Sequence, residues 1–193
     1  VIVPPMDAKA LVGRKLGSYT ILSLLGQGGM GVVCLAEHES LGRKAAIKLL
    51  KPELTERDDV VQRFFNEARA ANQINHPGIV DIYDYAHDET DGAYLVMEYL
   101  QGKTLQAMLT ELERLPVANA TLITRRIASP LAAAHAANIV HRDLKPENIF
   151  ILPDPDHPGD LRIKLLDFGV AKLTDGKPSL RTQTGMLLGT PYY

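Results

Sequence analysis

Six residues, Gly26-Gln27-Gly28-Gly29-Met30-Gly31, narrow the folds open to this chain more than any others, because of what flanks them. Upstream, Tyr19 to Leu25 is rich in aliphatic and β-branched residues; downstream, Val32-Val33-Cys34-Leu35-Ala36 is short, β-branched at its start and without a helical N-cap. A glycine-rich turn that opens a helix builds a dinucleotide-binding unit, whereas one that leads into a second strand builds a hairpin flap. The flanks favour the flap. Glycines there let backbone N–H groups approach phosphate oxygens, since no Cβ stands in the way. An ordinary glycine-rich hairpin turn reads the same, and this motif alone does not separate the two.

The rest of the chain follows in two styles. Residues 1 to about 17 read as a tail. Ala45 to Leu50 is a third strand, Asp58 to Asn72 a helix with Val61, Phe64, Phe65 and Ala68 at helical spacing, and His76-Pro77-Gly78 ends it. Ile79 to Tyr85 and Ala93 to Glu98 read as two more strands around the polar turn Asp88 to Gly92. Past Gly102 the pattern turns helical, with Thr104 to Glu113 and then Asn119 to Asn138. Pro130 should kink the second of these. Short strands at Asn148 to Ile151 and Ile163 to Leu166 flank the turn Pro153 to Asp160. The expected fold is α+β with a boundary near Glu98 to Gly102.

Composition removes several function classes. With 193 residues, 46% of them apolar and a formal net charge of −2, the chain suits a packed domain and lacks a basic nucleic-acid footprint. Cys34 is the only cysteine, so neither an internal disulfide nor a thiolate metal cage can form, which is in keeping with a reducing compartment. No apolar run approaches the roughly 20 residues of a membrane span, and the first residues lack a basic leader. The expectation is a cytoplasmic segment with no membrane span of its own.

Three further sites carry chemistry. Lys48 stands alone in an apolar strand, where it is either an edge-strand charge or, paired with Glu67 on the next helix, a fixed cation for nucleotide phosphates. The string His141-Arg142-Asp143-Leu144-Lys145-Pro146-Glu147-Asn148 reads as a loop between helix and strand. In it Asp143 can accept a proton, Lys145 can neutralise a phosphate, and Asn148 offers a hard oxygen to Mg²⁺. His141 reads as architectural. Asp167-Phe168-Gly169 then places a carboxylate at the end of an apolar strand, a second oxygen donor for Mg²⁺.

Glycine loop, Ala46-Ile47-Lys48, Glu67, His141 to Asn148 and Asp167-Phe168-Gly169 occur in one order, and in that order the chain resembles the eukaryotic-type serine/threonine protein kinases from near Tyr19 to its last residue. Lys145 resembles the serine/threonine branch, and Gly28-Gly29-Met30-Gly31 with Leu166 to Lys172 looks like its bacterial members. The resemblance implies a two-lobed protein-kinase-like fold: a tail over 1–17, a complete β-rich N-lobe over 18–100 and a partial helical C-lobe over 101–193. It implies ATP and Mg²⁺ as cofactors and proteins as substrates. Gly26, Gly28 and Gly31 would cover the phosphates; Val33 and Ala46 would pack on adenine. Met97 would guard the back of the pocket, and the backbone of Glu98 and Leu100 would bind the base between the lobes. Lys48, tied to Glu67, would touch the α/β-phosphates; Asp167 and Asn148 would hold Mg²⁺; Asp143 would take the acceptor proton while Lys145 steadies the γ-phosphoryl group.

Arg142 beside Asp143 implies activation by phosphorylation of the activation loop, with Thr182 and Thr184 as the sites and a kinase–kinase dimer as the partner arrangement for trans-autophosphorylation. A polar, threonine-rich loop is the other reading of that segment, and Thr190 is expected to shape the substrate groove. A pseudokinase scaffold, or a fragment that only binds nucleotide, is the competing function; retention of Lys48, Asp143 and Asp167 speaks against the former. The chain stops at Tyr193, before helices that family members carry. It is therefore expected to be a piece of a longer kinase, poorly stable and weakly active alone, whose parent can carry a membrane anchor elsewhere.

Overall fold

Near-continuous apolar runs in 44–50 and 92–98 suit strands buried on both faces, and the computed structural model, which describes residues 8–168 apart from 89 and 158, forms them. The described chain divides into two units, one of residues up to 68 with 81–100, the other of 69–80 with the residues from 101 onward.

In the first unit, β1 (Lys15–Leu16), β2 (Tyr19–Gln27), β3 (Gly31–His38), β4 (Lys44–Leu50), β5 (Ile82–Asp88) and β6 (Gly92–Glu98) make one antiparallel sheet in the order β1-β2-β3-β4-β6-β5. One face buries Leu16, Ile21, Val32, Cys34, Ala36, Ala45, Ile47, Leu49, Tyr94 and Val96 together. The other face meets α2 (Asp58–Gln73), which follows the single turn α1 (Pro52–Thr55). Here Val60, Val61, Phe64, Phe65 and Ala68 bury against Leu50, Ala93 and Leu95. Each such large side chain contributes about 1.5–3 kcal/mol, and Asp58 and Asp59 in the first turn suit the positive end of the helix.

Two expectations are corrected in this unit. The stretch read as a tail is structured from Ala8: a 3-10 turn (Ala8–Leu11) and β1 place Leu11 and Leu16 in the sheet core. Spacing failed to show this because a two-residue strand is too short to display a period. Ile79 and Val80 do not begin β5. They bond instead to Leu165, and residues 69–80 group with the second unit, because two apolar residues after a turn suit either sheet.

The second unit holds α3 (Leu105–Leu112), α4 (Val117–Ala136) and a small antiparallel sheet of β7 (Lys103–Thr104), β8 (Ile149–Pro153) and β9 (Leu161–Leu165) in the order β7-β8-β9. Thr104 caps α3, its Oγ1 accepting the Ala107 N–H at 3.1 Å. Helix α4 is continuous through the fully buried Pro130. The β8–β9 turn is fastened by ion pairs of Asp160 with Arg126 of α4 and of Arg162 with Asp154 and Asp156. No helix among the described residues is long and apolar enough to cross a membrane.

Candidate active site

Strand register assembles the first group of site residues. Opposed residues on neighbouring strands point to the same face, and β3, β4 and β6 oppose Val33, Lys48 and Leu95 in one row and Leu35, Ala46 and Met97 in the next. Val33, Ala46, Lys48 and Met97 therefore share a single face of the sheet. Because β4 lies between β3 and β6, Lys48 is not an edge-strand charge. The residue is half-buried, and its Nζ stands 5.9 Å from the centre of the Phe64 ring. Glu67 lies three residues on along α2, a neighbouring position on the helix surface. Glu98 donates its N–H to Asp81 O at 2.9 Å, and its Oε1 accepts the Asp81 N–H at 2.8 Å. The Glu98 amide is therefore already engaged within this unit. Leu100 follows at the end of this unit, half-buried.

The glycines divide by cause. β2 ends at Gln27 and β3 begins at Gly31, so the loop is a strand-turn-strand flap, closed by Gly28 N–H to Gly31 O at 2.8 Å. A Cβ on Gly31 would stand 1.9 Å from Leu49 O, which gives that glycine a packing reason of its own. A Cβ on Gly26 or Gly28 would meet nothing within 4 Å.

In the second unit the site is built from irregular backbone. Asn148, 7% exposed, donates Nδ2–H to Asp143 O at 2.9 Å and to Asp143 Oδ2 at 3.2 Å. Both acceptors lack hydrogens, so the amide must face them with its nitrogen, and its Oδ1 is left as the end able to serve a cation. Lys145 Nζ lies 3.1 Å from the same Oδ2, so two donors hold the Asp143 carboxylate in one rotation. The turn Pro146–Asn148, closed by Asn148 N–H to Lys145 O at 2.9 Å, brings Asn148 back beneath Asp143.

His141 ties this loop to the strand end. It is 2% exposed, and its Nε2 donates to Leu166 O at 2.9 Å while its ring lies 4.6 Å from Phe168. Burial pushes its pKa down, against the raising pull of the Leu166 bond and of Asp143 and Asp167, so the ring stays neutral at pH 7. That supports an architectural role. Leu166 also donates its N–H to Asn148 O at 2.9 Å. Asp167 thus follows directly on a residue anchored at both backbone atoms. It is exposed, with φ of 45°, next to a Phe168 that is fully buried. Arg142, with φ of 60°, is the second left-handed residue here, and Nη1 of its side chain is buried without a hydrogen-bond partner among the described residues. Such conformations cost roughly 1–3 kcal/mol each and gather at functional sites.

The structure thus brings Asp143, Lys145 and Asn148 together and ties the backbone before Asp167 to them. It separately gathers Val33, Ala46, Lys48 and Met97. Gly169, Thr182, Thr184 and Thr190 lie outside the described residues. Sequence reasoning missed what Leu166, Ile79 and Val80 do, since their contribution is made by backbone groups that carry no side-chain signature.

This is the fold of a protein kinase domain, and the sequence model of the protein kinase domain family matches residues 19–193. The chain belongs to that family. It is 43% identical to serine/threonine-protein kinase Pkn1 of Myxococcus xanthus over 98% of this chain and 27% of that protein. With serine/threonine-protein kinase PknA of Mycobacterium tuberculosis it shares 40% identity over 92% of this chain and 40% of that protein. With PrkC of Bacillus subtilis it shares 41% identity over 95% of this chain and 27% of that protein. It thus spans well under half the length of these relatives. The solved kinase domain of Mycobacterium tuberculosis PknI is similar to it with a TM-score of 0.69 and 29% identity, over 82% of this chain and 62% of that one.

Proposed function

We propose that this chain carries out protein serine/threonine phosphorylation with ATP and Mg²⁺. The observation that supports it best is the Asp143 carboxylate, held by Lys145 and Asn148 at one oxygen. An acceptor hydroxyl gives its proton to Asp143 as its oxygen bonds to the γ-phosphorus, and the bond from that phosphorus to the β-phosphate oxygen breaks to leave ADP. Lys145 neutralises charge on the moving phosphoryl group. Lys48, positioned through Glu67, binds the α/β-phosphates under the glycine flap, and Val33, Ala46 and Met97 line the adenine side.

The donors fit Mg²⁺: an amide oxygen turned away from Asp143 and an exposed carboxylate on Asp167, both hard ligands and few in number. When bound, the metal neutralises phosphate charge. The test is transfer of radiolabelled phosphate from ATP to a protein substrate by the full-length protein. Asp143→Asn should lower the rate about 10²–10⁴-fold with the folded fraction unchanged; equal rates in both proteins would overturn the reading.

Activation follows from Arg142. A buried guanidinium nitrogen without a partner among the described residues suits a phosphate arriving on Thr182 or Thr184. A second copy acting in trans would place that phosphate, and the setting is the cytoplasm. Thr182→Ala with Thr184→Ala should lower specific activity of the full-length protein, and unchanged activity would remove this part. A scaffold without turnover is the weaker reading, since Lys48, Asp143 and Asp167 are all present.

A further inference from the structure

We propose that the turn His76-Pro77-Gly78 is a strap that positions Asp167, anchored on helix α4 at Ser129 and Pro130. The inference rests on the reading of Asp167 as a metal ligand, and it assigns work to residues outside that site.

The anchored end is defined by chemistry. His76 Nδ1 accepts the Gly78 N–H at 2.9 Å. A backbone amide can only donate, so Nδ1 is bare, the ring proton sits on Nε2, and Nε2 donates to Ser129 Oγ at 3.0 Å. The imidazole therefore links the turn to α4 in one tautomer. Gly78 fits into a slot beside that ring. A Cβ on it would stand 3.0 Å from His76 Nδ1, 3.1 Å from His76 Cε1 and 3.1 Å from Pro130 Cγ. Proline inside a helix costs about 3 kcal/mol in propensity. Pro130 is nonetheless fully buried in the interior of α4, where its ring meets the turn.

The working end is a run of backbone bonds. Gly78 O accepts the Leu165 N–H at 2.8 Å, and Val80 N–H donates to Leu165 O at 3.1 Å. Ile79 pairs with Leu165 in a parallel bridge, and Lys164 Nζ donates to Ile79 O at 3.0 Å. Leu165 is the last residue of β9, so the strap holds the strand at its final residue, two positions before Asp167. Beyond it Leu166 is tied to Asn148 and His141, and Asp167 takes its left-handed turn. A shift of the strap along α4 is therefore passed through Leu165 to the Asp167 carboxylate.

The experiment measures Mn²⁺, standing in for Mg²⁺, by electron paramagnetic resonance in the full-length protein with a non-hydrolysable ATP analogue bound. Gly78→Ala should weaken Mn²⁺ about fivefold, the equivalent of one lost hydrogen bond. Adding Pro130→Ala, which relieves one of the three close contacts, should restore part of the affinity. His76→Asn keeps an acceptor for the Gly78 N–H, in the manner of an Asx turn, but cannot reach Ser129; it should weaken Mn²⁺ less than Gly78→Ala and keep the protein folded. A merely structural strap would lower the melting temperature and leave the Mn²⁺ affinity of the folded fraction alone, and that result overturns the proposal. If Gly78→Ala does not fold, His76→Asn with unchanged Mn²⁺ affinity overturns it as well. Asp167→Asn separates the two layers. If it weakens Mn²⁺ while the strap variants do not, the strap falls and the metal reading stands. If it has no effect, the metal reading falls and takes the strap with it.

Discussion

The sheet unit and the loop unit place their functional side chains by different physics. In the sheet, Val33, Ala46, Lys48 and Met97 share a face because strand register puts them there, and the whole antiparallel ladder must slip before any one of them moves. In the loop unit, Asp143, Asn148 and Asp167 are placed by a small set of local hydrogen bonds and by two left-handed residues, Arg142 and Asp167. Under the proposed function, robust placement would serve groups that bind the same nucleotide surface in every cycle. Local, individually bonded placement suits groups whose arrangement is to be regulated, since one bond or one phosphate is enough to change it.

The sharpest way to break that contrast lies within the glycine flap. Gly31→Ala drives a Cβ onto Leu49 O, a backbone atom that cannot rotate away. It should destabilise the protein by about 3 kcal/mol, the upper part of the overpacking range. Gly26→Ala meets no protein atom within 4 Å. It should leave the unfolding free energy within about 0.5 kcal/mol and weaken ATP binding instead. Urea unfolding and ATP titration on the two variants check both halves. Equal destabilisation by both would mean that the flap glycines serve packing alone.

The same contrast explains what could be read in advance. Strands β2 to β4, β6 and helix α2 were legible because short aliphatic and β-branched runs and helical spacing mark them, and the string His141 to Asn148 was legible because it names its chemistry in consecutive side chains. The Lys48 face followed once β4 was known to be central, which alternation alone does not disclose. Backbone-to-backbone ties left no such mark. Gly78 to Leu165, Leu166 to Asn148 and the short β1 pairing are made by atoms every residue owns, so His76-Pro77-Gly78 read as a mere helix stop. Gly31 read as a phosphate glycine, although the contact that excludes a side chain there comes from Leu49, eighteen residues along the chain and invisible without the β3–β4 register.

The smallest effect tests whether the loop unit is held by a neutral His141. Burial lowers its pKa in the folded protein below the ordinary 6.5. The unfolded chain therefore binds a proton here more readily than the folded one, and acid favours unfolding. The stabilising contribution of the neutral ring is fully present above about pH 6.5 and is lost as pH falls toward the lowered folded value. The loss is at most about 1.4 kcal/mol per pH unit for a single group. Unfolding free energies measured between pH 7.5 and 5 should fall with acid in the parent, and the fall should be shallower in His141→Gln, whose amide can still donate to Leu166 O but does not titrate. The difference between the two curves isolates this ring from the other histidines. Parallel curves would mean that His141 charges freely, and the neutral, donating Nε2 that anchors Leu166 ahead of Asp167 would lose its basis.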